Sequence, residues 1–218
     1  MKKLSSVLLA ASVVFALAGC GGGDPVPDDK KEAEEFTEEA FLEEIQPNLD
    51  CLESCFQELF GAEVDFDTAY GALYETEADS MDREKPPAML YVRGEQADFS
   101  DYAPDPADVT YYPVSNYQTN ADARAYLEQY LSGGMIEKWF YNDFLEYGGK
   151  LYLARGGRGY GSESLDRDSL LYVEEKNGNQ YAKIDVLLFG EYERTELLEF
   201  TEGENGWVLT GESETTAG

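Results

Sequence analysis

The chain has 218 residues, of which 45 are acidic and only 16 are basic, so its formal net charge is −29 at pH 7. A surface this negative repels nucleic acid and anionic lipid, and we expect no nucleic-acid partner. Histidine is absent, which excludes Ser-His-Asp and Cys-His nucleophilic catalysis and the zinc sites that need an imidazole ligand. We expect neither a cofactor nor a bound metal.

The first twenty residues have the order of a bacterial signal peptide. Two lysines precede an apolar stretch from Val7 to Leu17, which is too short to span a bilayer comfortably. The stretch ends in Leu-Ala-Gly-Cys, and this string resembles the bacterial lipobox, in which the cysteine receives a diacylglycerol before cleavage. The resemblance implies that residues 1–19 are removed and that Cys20 carries the lipid.

Residues 20–35 are rich in glycine, proline and charge and show no apolar periodicity, which predicts a flexible tether after the lipidated cysteine. Cleavage of the signal peptide would leave 14 basic residues against 45 acidic ones, because two lysines are lost with it. We therefore expect a strongly acidic domain in the cell envelope. Its lipid would anchor it to the outer face of the cytoplasmic membrane or to an outer membrane.

Two consecutive helices, or one kinked helix, are predicted at the start of the folded region. Thr37 can cap the first turn, and apolar residues then recur at helical spacing from Phe41 to Phe60. Pro47 interrupts this pattern, which predicts the kink or the break between helices.

Two cysteines, Cys51 and Cys55, lie about one helical turn apart in this segment. At that spacing their Cα atoms are about 6 Å apart, which is within the range of a disulfide. An oxidising compartment permits the bond, although helical geometry strains it. The sequence leaves a disulfide and a pair of buried free thiols as equal alternatives.

The middle of the chain alternates between acidic loops, short strands and helices. The carboxylate-rich segment 98–108 lacks the glycine turn and the terminal glutamate of an EF-hand, so we expect a solvated loop and not a calcium site. The apolar patterns predict a short helix at 67–74, strands at 88–92 and 109–114, and helices at 120–131 and 135–145.

The last third of the chain changes to strands joined by short turns, and Asn177-Gly178 is a strong hairpin signal. We therefore predict an α+β fold in which N-terminal helices pack on a curved antiparallel sheet formed mainly by the C-terminal third. A single domain is expected over 36–211, followed by a disordered tail at 212–218. The predicted strands are at 150–155, 169–176, 180–189, 195–201 and 207–210.

A glycine-rich connection after the first of these strands carries Arg155, Arg158 and Tyr160. No helix follows it, so it does not fit a phosphate-binding loop. We interpret it as a mobile loop whose arginines grip a partner's carboxylates, the alternative being that they pair with the chain's own abundant carboxylates. Tyr112 and Tyr141 join this candidate binding set, because tyrosine suits interfaces, although it also packs at the rim of ordinary cores.

Four short stretches of the C-terminal half carry a resemblance to a known family. They are Tyr-Tyr-Pro-Val at 111–114, the helix at 120–131, Gly-Lys-Leu-Tyr at 149–152 and Arg-Gly at 158–159. These stretches resemble bacterial envelope proteins of the IseA type, which inhibit cell-wall DL-endopeptidases. The resemblance implies an α+β body with a curved antiparallel sheet and an acidic surface that covers a basic catalytic surface. The broader cystatin and nuclear-transport-factor-like cone folds share the order of helices followed by a sheet.

Two functions stay open on the sequence alone. The first is a non-catalytic surface lipoprotein that binds and restrains a cationic envelope partner, and the resemblance implies a peptidoglycan endopeptidase as that partner. The alternative is a small-ligand-binding cone fold, or an enzyme that works with carboxylates and tyrosine. We nominate no catalytic residue, because the chain has too many carboxylates for an acid–base pair to be chosen among them.

Overall fold

The computed structural model describes residues 36–82, 84–96, 98–107, 109–140, 144–156 and 163–215. Residues 36–218 form one compact unit, and its described part contains five helices and two antiparallel sheets. The α+β fold class is confirmed, with strands dominating the C-terminal part. The predicted signal peptide, Cys20 and the tether lie outside the described residues.

Two consecutive helices open the unit, α1 over Glu38–Glu44 and α2 over Gln46–Phe56. The Thr37 hydroxyl accepts a hydrogen bond from the amide of Ala40 at 3.1 Å, which satisfies a free N–H group at the start of α1. Pro47 lies in the first turn of α2, where its missing N–H removes no helical hydrogen bond. The predicted cap and the predicted break are both confirmed.

Three shorter helices follow: α3 over Glu77–Ser80, α4 over Asn120–Leu127 and α5 over Gly133–Trp139. A capping box starts α4, because Thr119 accepts from the amide of Asp122 while the Asp122 carboxylate accepts from the amide of Thr119. None of the helices in the described part of the chain combines the length and the apolar character that a membrane crossing needs.

Six strands form the first sheet, called here the N-terminal sheet: β1 Tyr70–Tyr74, β2 Met89–Val92, β3 Ala103–Pro104, β4 Thr110–Pro113, β5 Phe144–Tyr147 and β6 Lys150–Arg155. Its strand order is β2-β1-β4-β6-β5, and β3 pairs with β1 beside this path. All of these pairings are antiparallel. The sheet therefore arises largely from the middle of the chain, where only three of its strands were predicted.

Two predictions in this region are wrong. The segment predicted as a helix at 67–74 contains β1, which pairs with three other strands. The helix predicted over 135–145 ends at Trp139, and Phe144 starts β5 instead. In both places a short apolar run fits either periodicity. Pairing with three other strands decides the outcome for β1, and a tight hairpin with β6 through Gly148 and Gly149 decides it for β5.

The C-terminal sheet is a four-stranded meander of β7 Glu163–Lys176, β8 Asn179–Leu188, β9 Glu191–Gly203 and β10 Gly206–Thr215. Asn177 and Gly178 join β7 to β8 with φ of 56° and 84°, the two left-handed conformations that a type I′ turn requires. The predicted hairpin is confirmed. Register shifts interrupt every pairing in this sheet, and such irregularities increase its twist and curvature.

The predicted boundary of the domain at 211 is corrected by β10. Gly211 lies at a register shift, not at the end of the strand, and pairing with β9 continues from Glu212 to Thr215. The residues from 212 to 215 are therefore part of the sheet and do not belong to a disordered tail.

The main core lies between the helices and the inner face of the C-terminal sheet. Phe41 of α1 is buried, and its ring packs edge-on against Phe200 and Trp207, with centroids 5.6 Å and 5.0 Å away. Asn48 of α2 is also buried, and its amide donates to the carbonyls of Tyr130 and Trp207 at 2.8 Å and 2.7 Å. These contacts join α2, the loop after α4 and β10 into one packed body.

Candidate functional site

A cleft of about 1220 Å³ lies between the N-terminal sheet, the ends of α2 and α5, and the segment that follows α3. We call it the acidic cleft. Pockets for drug-sized ligands measure roughly 300–1,000 Å³ and are mostly apolar, so this cleft is large for a small molecule. Its aromatic lining consists of Phe56, Phe60, Tyr74, Tyr111, Trp139 and Phe144.

The described lining of the cleft carries more negative than positive charge. The two lining lysines are already bound to carboxylates of this chain, Lys85 to Asp79 and Lys138 to Glu212. The ratio of acidic to basic residues in the described lining is similar to that of the whole chain. The cleft therefore differs from the rest of the surface by its concave shape. A concave wall of low dielectric focuses the field of its charges. The lining carboxylates are Glu58, Asp82, Glu84, Asp105 and Glu146.

Asp105 accepts a hydrogen bond from Tyr111, whose hydroxyl also lies next to that of Tyr74. The Tyr111 hydroxyl donates to Oδ2 of Asp105 at 3.0 Å and lies 3.4 Å from the hydroxyl of Tyr74. Burial, followed by the hydrogen bond with Tyr74, raises the pKa of Tyr111. The phenol therefore stays protonated and serves as a donor that orients Asp105, not as a base.

Glu146 of β5 lies at the N-terminus of α4. Its Oε1 accepts from the backbone amide of Asn120 at 2.7 Å and from the side-chain Nδ2 of the same residue at 3.2 Å. Free N–H groups and the helix dipole favour a carboxylate at this position. The chain thus fixes Glu146 in the cleft wall by two hydrogen bonds from one residue.

Asp82 and Glu84 lie on the exposed segment after α3. Oδ1 of Asp82 accepts from the amide of Glu84 at 3.0 Å, a local turn contact that leaves both charges facing solvent. Neither carboxylate forms an ion pair within the described part of the chain. These two residues are the lining carboxylates most open to an incoming cation.

The predicted exposure of Arg155 on a mobile loop is wrong. Arg155 ends β6, is only 8% exposed, and donates to Oε2 of Glu58 at 3.0 Å and to the carbonyl of Gln57 at 2.8 Å. Because the chain has far more acids than bases, a buried guanidinium finds an internal carboxylate, which was the alternative interpretation. Arg155 therefore joins the end of α2 to β6, and its partner Glu58 and neighbours Ala154 and Gly156 line the cleft.

Of the other predicted binding residues, the structure describes Tyr112. Tyr112 is half-buried on β4, where its ring lies 5.2 Å from that of Phe66, and it is not part of the described cleft lining. Arg158, Tyr160 and Tyr141 lie outside the described residues.

Cys51 and Cys55 are free thiols, and both are buried. The structure thus has the second of the two alternatives that the sequence left open. A hydrogen bond with Cys51, and then burial, raises the pKa of the Cys55 thiol. Cys55 lines the cleft, but a thiol that stays protonated is a poor nucleophile and a poor metal ligand. In the described ranges, no cluster of three or more cysteine and acidic side chains could hold a metal ion.

None of the five lining carboxylates was singled out by the sequence. They come from separate segments between residues 58 and 146, and the fold alone brings them together. No protein-family model matches the chain, and no curated protein aligns with it significantly. Its function is therefore inferred from its own residues.

Proposed function

We propose that this chain is a non-catalytic surface lipoprotein that binds a cationic segment of an envelope protein in the acidic cleft and restrains that partner. The proposal rests on one observation, which is the presence of five carboxylate residues in the described lining of a single cleft of about 1220 Å³. A peptidoglycan endopeptidase is the partner class that the resemblance to IseA-type inhibitors favours.

The charge of the chain supports a cationic partner at two ranges. At long range, a net charge of −29 attracts a basic surface and raises the association rate, an effect that salt weakens. At short range, Asp82 and Glu84 lie exposed in the described lining of the cleft, and neither forms an ion pair with another described residue.

The dimensions and the lining favour a polypeptide segment over a small apolar ligand. Seven of the lining side chains in the described part of the chain are charged, whereas small-molecule sites use few, convergent polar groups in an apolar pocket. A segment rich in basic side chains pairs with such carboxylates along its length. We therefore place a small-ligand-binding cone second.

A matched pair of charge variants tests the proposal. The cleft variant carries Asp82→Asn, Glu84→Gln and Asp105→Asn, and the chain is titrated with fluorescent hexalysine at low salt. We expect the affinity to fall about tenfold or more, because each exposed ion pair contributes about 0.2–1 kcal/mol. The control variant carries Glu175→Gln, Glu202→Gln and Glu204→Gln at the exposed hairpin ends of the C-terminal sheet.

The control changes the net charge by the same amount, so it should weaken binding much less than the cleft variant. Equal losses of hexalysine affinity in the two variants would mean that binding depends only on the net charge of the chain. That result would contradict the cleft as the binding site. The partner class is tested by a cell-wall digest with purified DL-endopeptidases. The unaltered chain should slow the digest and the cleft variant should not, while no effect on any endopeptidase would eliminate that partner class.

A further inference from the structure

One cation of the cleft is held in an unusual way at the end of α5. Lys138 and Trp139 line the acidic cleft, and the Lys138 ammonium forms an ion pair with Oε1 of Glu212 on β10. The same ammonium lies 5.2 Å from the centroid of the Trp139 ring. A carboxylate together with an aromatic face is a combination that binds alkylammonium groups.

The two charges of this ion pair differ greatly in exposure. The Glu212 side chain is only 4% exposed, while that of Lys138 is 52% exposed. A buried carboxylate strongly retains a cation, because removing it leaves an uncompensated charge. A half-exposed lysine, in contrast, is readily hydrated when it leaves, so the carboxylate is the fixed partner and the ammonium is the exchangeable one.

The hydrogen bonds of Glu212 are also incomplete. Its Oε2 atom is buried and forms no hydrogen bond of normal geometry in the described part of the chain, and the indole N–H of Trp139, which also lacks one, is near enough to act on the carboxylate. Burial and the nearby charge of Glu196 raise the pKa of Glu212, while Lys138 and the Trp139 indole N–H act in the opposite direction. A primary ammonium has three N–H donors, so an incoming group can replace Lys138 at Oε1 without losing hydrogen bonds.

We propose that Glu212 and Trp139 form an alkylammonium-binding subsite at the edge of the acidic cleft, behind the lining residues Lys138 and Trp139, which Lys138 occupies until a lysine side chain of the partner displaces it. This inference rests on the proposed function for the source of the ammonium and deepens it by naming the recognised group. The exchange is balanced in charge, because one ammonium replaces another and Glu212 is never left without a cation. Displaced Lys138 then lies in solvent at the rim of the cleft.

Chemical rescue tests the subsite directly. In the full chain carrying Lys138→Ala, n-butylammonium chloride should raise the melting temperature by about 2–4 °C in a saturable way. The unaltered chain should respond much less at the same concentration, because its own lysine competes. The double variant Lys138→Ala/Glu212→Gln should not respond, and tetramethylammonium chloride, which has no N–H donor, controls for ionic strength. If Lys138→Ala does not fold, the experiment uses Lys138→Met instead, because methionine keeps most of the aliphatic stem of lysine.

Rescue is also visible by fluorescence. The chain has two tryptophans, so a Trp207→Phe background leaves Trp139 as the reporter, and its emission should change with the same half-saturation concentration as the melting temperature. Rescue that persists in the double variant, or no rescue of either single variant, would overturn the subsite.

Failure of the subsite and failure of the proposed function give different results. Lys138→Ala should bind hexalysine about fivefold more tightly than the unaltered chain, because the internal competitor is gone. If hexalysine binds the cleft with no gain in this variant, the subsite is wrong and the proposed function stands. If n-butylammonium rescues the variant but hexalysine binds neither form, the subsite stands and the proposed function is wrong.

Discussion

Replacement of Arg155 by methionine should destabilise the fold without weakening the binding of a cation. The guanidinium donates to the Gln57 carbonyl at 2.8 Å and to Glu58 at 3.0 Å from an almost fully buried position. Methionine keeps the aliphatic stem of the side chain but removes both contacts. The end of α2 then loses its link to β6.

The magnitude follows from the two contacts taken separately. The charged hydrogen bond to the carbonyl contributes about 1.5–3 kcal/mol. The ion pair contributes little, about 0–1 kcal/mol, because the Glu58 side chain is 64% exposed. We therefore expect Arg155→Met to lower the free energy of unfolding by about 2–3 kcal/mol.

Urea unfolding followed by circular dichroism measures this loss. Arg155→Lys is the matched control, because it keeps the charge but its compact ammonium cannot span both acceptors, so its loss should be smaller. Hexalysine affinity should stay the same or increase slightly in Arg155→Met, since Glu58 is released. A variant of unchanged stability that no longer binds its partner would show that Arg155 is a surface binding residue and would refute this reasoning.

Two further changes test the buried polar groups. Asn48→Ala should lower the free energy of unfolding by about 2–4 kcal/mol in the same urea assay, because the Tyr130 and Trp207 carbonyls lose their donor; a loss below about 1 kcal/mol would contradict this. Burial holds the pKa of Glu212 above its ordinary value of 4.5, so above that pH the folded chain retains a proton that the unfolded chain has lost. Glu212 thus makes stability fall as the pH rises through its raised pKa, and Glu212→Gln should flatten that fall in a series of melting temperatures against pH. A fall of the same slope in both proteins would show that Glu212 does not cause it.

Local signals predicted the helix starts and the tight turn. Thr37 caps α1, Pro47 separates α1 from α2, and Asn177-Gly178 turns β7 into β8. Each of these features depends on contacts within about four residues of the chain, which a sequence displays directly.

Strands that depend on distant partners were missed. Tyr70 of β1 pairs with Val92 on one side and with Tyr111 on the other, and neither partner is visible in the pattern around residue 70. β5 differs, because it pairs with β6 in a tight hairpin whose turn, Gly148-Gly149, is a local signal with positive φ at both glycines. Short apolar runs of this kind fit a helix and a strand equally well until the sheet forms.

The candidate site was hidden by the abundance of its own residue type. Among 45 acidic residues, nothing in the local sequence distinguishes Asp105 or Glu146 from a solvated carboxylate. The abundance of acidic residues did predict the pairing of Arg155 with a carboxylate of the same chain, because a cation in so acidic a chain has many internal partners. Composition thus predicted one contact of the cleft wall but not the position of the cleft.

The most direct measurement is a titration of the isotope-labelled chain with hexalysine, followed through the backbone amide resonances. Binding in the acidic cleft predicts that the largest shift changes fall at residues 80–85, 105–107 and 144–146, and that they disappear at high salt. Changes centred on the hairpin ends at 177–178 and 204–206, or spread evenly over the chain, would show that the cation binds elsewhere and would contradict the cleft as the functional site.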